Sequence, residues 1–75
     1  MIIWGDERLP VGAIYRGVLT DTRSRPHFGM TWQVLREATG AEYLAYVERE
    51  IGHVTESNRR LAVKAGVYFY EVSVD

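Results

Sequence analysis

Along residues 30 to 37, Met30, Trp32 and Val34 alternate with Thr31, Gln33, Leu35 and Glu37. A period of two is the signature of an extended chain. It predicts a strand over Met30–Ala38 with the Trp32 side toward the core and the Thr31 side largely solvated, Leu35 excepted. Upstream, Val11 to Thr20 is rich in β-branched and aromatic residues and has no helical period, which predicts another strand. Gly17 inside it suits a bulge or a close crossing. Between the two, Asp21 to Gly29 is polar, holds Pro26 and Gly29, and reads as a loop. It is long for a hairpin turn, and long loops in compact domains are often functional.

Thr39-Gly40-Ala41-Glu42 fits the capping box, in which the threonine hydroxyl accepts from a first-turn amide and the glutamate reaches back to the cap amide. A helix is predicted over about residues 40–51. Leu44, Val47 and Ile51 supply its apolar stripe, and Gly52 stands where a left-handed terminator belongs. The opposite face carries Glu42, Tyr46 and Arg49, so Tyr46 is expected to point outward. Glu48 and Glu50 sit near the C-terminal end, where the macrodipole disfavours them.

His53 to Asn58 reads as a loop. Leu61, Val63 and Ala65 then alternate with Ala62 and Lys64, and Val67 to Val74 is a continuous β run. With Ala65-Gly66 between them, a tight two-stranded hairpin is predicted. The alternative is a short helix from Asn58 to Lys64 capped by Ser57. In the last strand Tyr68, Tyr70, Val72 and Val74 share one face while Val67, Phe69, Glu71 and Ser73 share the other. Both faces begin apolar, so part of that strand should be central or covered on both sides. The fold class is therefore α+β: a four- or five-stranded antiparallel sheet with one α-helix, about residues 40–51, packed on one face. Residues 1–75 form a single small globular domain, without repeat, linker or low-complexity tract.

Composition narrows the chemistry. The 75 residues are 47% hydrophobic and 25% charged, with a formal net charge of −1, two histidines and no cysteine. A core of this size is near the lower limit for independent folding, and disulfides, thiolate zinc sites and cysteine nucleophiles are excluded together. The apolar opening Ile2-Ile3-Trp4 is too short for a secretory signal, and no run approaches a membrane span, so a cytoplasmic location is expected. Eight of the nine basic residues are arginine, Lys64 being the lysine. Residues 42 to 56 carry Glu42, Glu48, Glu50 and Glu56 against Arg49, whereas 58 to 64 carry Arg59, Arg60 and Lys64 without an acid. One side of the molecule is expected to be acidic and another basic.

Candidate catalytic groupings are thin. His27 and His53 stand alone in separate loops, short of a metal's ligand count. Asp21, Ser24 and His27 lie in one stretch of turn formers, with no strand-turn-helix elbow to present the serine. The glycines form no phosphate-binding pattern. Asp6 and Glu7, like Glu48 and Glu50, lack surroundings that would separate their pKa values. The chain is thus expected to be no enzyme and to need no cofactor.

Arginine with aromatics is more informative, because tyrosine and arginine dominate interface energetics. Arg23 and Arg25 stand near His27 and Phe28, and Arg59 and Arg60 near one another. Tyr15, Tyr43, Tyr68 and Tyr70 are expected to pack on the sheet with hydroxyls at the rim. The leading expectation is a non-enzymatic protein-binding module that occupies the surface of a host protein through Tyr46, Arg49, Glu42, Arg23, Arg25, Arg59 and Arg60. In size and class it is comparable with small phage- or mobile-element-encoded inhibitors, anti-CRISPR proteins among them, an analogy that rests on no matched residue. The alternative is a nucleic-acid-binding domain using the arginine loops and a tyrosine-bearing sheet face, where Tyr68 or Phe69 would stack on bases. The net charge counts against it. A homodimer formed through an unpaired edge of the first or last strand is compatible with either.

Overall fold

The computed structural model describes residues 1–20 and 26–75, and side chains outside residues 18–29. In chain order the elements are β1 (Ile2–Gly5), β2 (Ile14–Thr20), β3 (Pro26–Ala38), α1 (Gly40–Ile51), α2 (Glu56–Val63) and β4 (Tyr68–Val74). The strands form one antiparallel sheet in the order β1-β4-β3-β2. β4 is therefore central, as its two apolar faces required, and β1 and β2 are the edges.

Alternation along β4 divides the interior in two. Tyr70 and Val72 join Ile3 and Val34 on one face, while Phe69 joins Ile2, Tyr43 and Val47 on the other. The helices cover the second face. The first is closed by the β1–β2 connection, where Leu9 packs against the cluster and its amide donates to the Tyr70 hydroxyl at 2.8 Å. That connection is tied to β3 by bonds from the Gly12 amide to the Val34 carbonyl and from the Val34 amide to the Ala13 carbonyl. A turn there, closed by the Ala13 amide on the Pro10 carbonyl, uses Gly12 at φ 90°. The strand predicted from Val11 consequently begins at Ile14.

β3 is longer than predicted, starting at Pro26, and Leu19 pairs with His27 and Thr20 with Pro26. Its register against β4 shifts between Val34 and Arg36. Leu35 is the extra residue of this bulge and is exposed. Since side chains alternate, one extra residue reverses the faces that follow. Trp32 and Val34 face the Tyr70 side, but Arg36, opposite Glu71, and Ala38, opposite Phe69, face the helices.

α1 has the predicted bounds and both halves of its capping box: the Glu42 amide donates to Thr39 Oγ1 at 3.1 Å, and the Thr39 amide donates to Glu42 Oε1 at 3.1 Å. Gly52 terminates it at φ 94°. Its buried face is rotated from the prediction. Tyr43 and Val47, one turn apart, are buried; Leu44 is half-buried and Ile51 exposed.

The hairpin predicted for residues 61–74 is replaced by α2 followed by β4. The cap is Thr55 rather than Ser57. Its hydroxyl accepts from the Asn58 amide at 3.2 Å, and Asn58 Oδ1 accepts in return from the Thr55 amide at 3.0 Å. The apparent alternation of Leu61 and Val63 is helical: Leu61 packs beneath α2 whereas Val63 is 85% exposed. The helical layer thus has two helices, not one. They meet at Gly40, where a Cβ would lie well inside contact distance of the Ala62 carbonyl.

Candidate interaction surface

The bulge at Leu35 turns Arg36 toward α1, and this builds the most elaborate charged cluster among the described residues. Arg36 Nη2 donates to Glu42 Oε2 at 2.5 Å, Arg36 Nε to Glu71 Oε2 at 3.2 Å, and Arg36 Nη1 to the Glu37 carbonyl at 3.2 Å. One guanidinium fork thereby ties β3, β4 and the first turn of α1, a planar geometry that lysine's point charge does not reproduce. The Glu42 carboxylate serves two donors at once, capping α1 through Oε1 and holding Arg36 through Oε2. Its pKa is held below the ordinary glutamate value, first by the Arg36 hydrogen bond and then by the Thr39 amide. The Arg36 pKa is raised, chiefly by the hydrogen bond to Glu42.

These groups line one wall of an open groove of about 220 Å³, whose other residues include Met1, Ile2, Ala45, Tyr46 and Arg49. Three residues singled out from the sequence, Glu42, Tyr46 and Arg49, are therefore together. Tyr46 does not project freely. It is half-buried against the Ile2/Tyr43/Val47/Phe69 cluster, with the Arg49 guanidinium 5.5 Å from its ring centroid. The rotation of α1 explains the difference, because burying Tyr43 swings Tyr46, three residues on, toward the sheet.

The remaining predicted site residues lie apart from this groove. Arg59 lines a separate depression with Leu44, Glu48 and Val54. Arg60 approaches Glu56 at 3.6 Å, both side chains more than two-thirds exposed, a pairing worth at most about 1 kcal/mol. Arg23 and Arg25 fall outside the described residues. Arg36 and Glu71, which organise the groove, were missed. Their pairing depends on a cross-strand register and a bulge, neither of which leaves a local motif.

The tyrosines mostly serve the interior. Tyr43 and Tyr70 are buried, and their hydroxyls accept, in part-buried hydrogen bonds, from Asn58 Nδ2 at 3.0 Å and from the Leu9 amide at 2.8 Å. Tyr15 stacks on Trp32 at 4.7 Å, and Tyr68 lies half-buried with Arg8 5.1 Å from its ring centroid. Phe69 is buried beneath the helices. Of the two side chains that the nucleic-acid alternative would stack on bases, Phe69 is thus covered and Tyr68 is half-buried. Among the described residues no three histidine or acidic side chains gather as a metal site, and no helix is long and apolar enough to cross a membrane. Comparison of the chain with protein-family models, with curated proteins and with solved structures finds no match.

Proposed function

We propose that this chain is a non-enzymatic protein-binding module that acts by occluding part of a partner protein's surface. The supporting observation is the groove in which Tyr46 lies half-buried beside Arg49, flanked by Arg36, Glu42 and Glu71. An aromatic ring already held by packing loses little side-chain entropy on binding. Tyrosine and arginine together are the usual anchors of protein interfaces. The rim presents both signs of charge, which suits a protein surface of alternating charge better than a uniformly anionic polymer.

On this reading the partner is a host protein and the setting is the cytoplasm. The reading extends to the class of small inhibitors encoded by phages and mobile elements. Immobilised wild-type protein should recover a stoichiometric partner from host lysate. Tyr46→Ala combined with Arg49→Glu, shown by circular dichroism to be folded, should weaken recovery by about thirtyfold or more, the loss associated with a hot-spot pair. Undiminished recovery by the double variant removes the groove from the interface.

A further inference from the structure

The two edges of the sheet are not equivalent. Where β2 pairs with β3 the register slips between Gly17 and Leu19, the extra residue falling on β3, and Gly17 has φ 154°. Bulges of this kind twist an edge away from further pairing. β1 is regular throughout Ile2–Gly5. The Met1 N-terminal ammonium donates to the Val72 carbonyl at 3.3 Å, and the Val72 amide donates to the Met1 carbonyl at 2.9 Å. Alternation of bonded and non-bonded pairs then directs the amides and carbonyls of Ile2 and Trp4 away from β4. No hydrogen bond within the described residues satisfies them on that side.

We infer that β1 pairs with β1 of a second copy, antiparallel, about a twofold axis through Ile3. The register follows from two constraints. Residues of a bonded pair must both direct their backbone groups outward, and their side chains must share a face. Ile2 and Trp4 meet both conditions. Placing Ile2 opposite the partner's Trp4 gives two bonded pairs, whereas Ile2 on Ile2 or Trp4 on Trp4 gives one. Trp4, 53% exposed, is then covered beside Ile2.

Charge complementarity supports the same register. Met1 lies opposite the partner's Gly5, so the partner's Asp6 and Glu7 arrive at the end of the strand where Met1, Tyr46 and Arg49 line the groove. Arg49 has no carboxylate partner among the described residues, and neither Asp6 nor Glu7 has a cation there. Twofold symmetry makes this contact twice. The inference rests on reading the groove as a protein-binding surface and adds self-association as a competitor that regulates access to it.

Sedimentation velocity across a micromolar dilution series tests the pairing. The expected result is twice the 8.6 kDa chain mass at high concentration, falling to one chain on dilution. Trp4→Lys should leave a single-chain mass throughout, while Ile14→Lys, on the β2 edge, should not alter the dilution curve. Arg49→Glu should abolish the dimer, and Asp6→Lys with Glu7→Lys in the same chain should restore it. The restored variant should still fail to recover a lysate partner, because that interaction depends on Arg49 itself. In the wild type, concentration should slow hydrogen exchange at the Trp4 amide. One-chain mass at every concentration overturns the inference, as does a dimer indifferent to Trp4→Lys or a reversal without rescue. Recovery of a lysate partner that depends on Tyr46 and Arg49 would then still support the groove, whereas recovery indifferent to them would remove that reading without touching the dimer.

Discussion

The two faces of the sheet bury clusters of equal membership by different means. On the helical side Ile2, Tyr43, Val47 and Phe69 lie under α1 and α2, and on the other Ile3, Val34, Tyr70 and Val72 lie under the β1–β2 connection. Each side buries a tyrosine whose hydroxyl must be satisfied. Tyr43 finds Asn58, the residue that also completes the α2 cap. Tyr70 finds the Leu9 backbone amide, 61 residues away in sequence. The helical cover is thus specified by local capping motifs that then interlock, and the opposite cover by a long-range bond to a segment with no regular structure of its own. The connection is expected to open more readily than the helices, because a short irregular segment has few backbone bonds to hold it closed.

The contrast is broken most severely at Gly40. In an exposed helix, glycine to alanine stabilises by about 0.5–1 kcal/mol. Here the added methyl meets the Ala62 backbone, so Gly40→Ala should instead destabilise by about 1–3 kcal/mol, as overpacked sites do. Urea unfolding measures this directly. A stabilised variant would show that α1 and α2 are not in close contact.

A smaller perturbation tests the other face. Tyr70→Phe removes the acceptor from the part-buried Leu9 amide and should cost about 1–2 kcal/mol. Hydrogen exchange should accelerate at Leu9 and the neighbouring connection while α1 and α2 amides keep their protection. Equal acceleration in the helices would mean that the two covers open as one unit.

The gentlest test concerns the Arg36–Glu42 contact at the margin of the helical layer. The Glu42 pKa is lowered in the folded state, first by Arg36 and then by the Thr39 amide. A lowered folded pKa contributes stability above the unfolded value, about 4.3 for glutamate, and that stability is lost as pH falls through the folded value. Glu42→Gln should therefore be less stable than wild type at neutral pH, with the gap narrowing below about pH 4.3. Urea midpoints from pH 3 to 7 measure it. A gap that stays constant across that range would remove the carboxylate as its source.

Parts of this architecture are legible in the sequence because their causes are local. Thr39 and Glu42 cap α1 within one turn, Gly52 takes the left-handed angle that other residues resist, and the doubly apolar run at β4 announces a central strand. α2 was obscured because its box closes with Asn58 where glutamate or glutamine is the familiar partner, and because Leu61 and Val63 imitate a strand's alternation. The candidate surface was half visible. Glu42, Tyr46 and Arg49 follow from helical spacing, but their grouping with Arg36 and Glu71 depends on Leu35 reversing the faces of β3.

What the sequence determined by itself is a set of elements and their ends: α1 with both caps, and the strand character of β2, β3 and β4. The tertiary structure decided which sides those elements bury. α1 turns Tyr43 rather than Ile51 inward because the sheet and α2 meet it along that line, and Tyr46 is drawn half into the interior as a consequence. Periodicity fixes the angle between side chains on one element, but the zero of that angle is set by whatever packs against it, and strand register is set the same way by partners far along the chain.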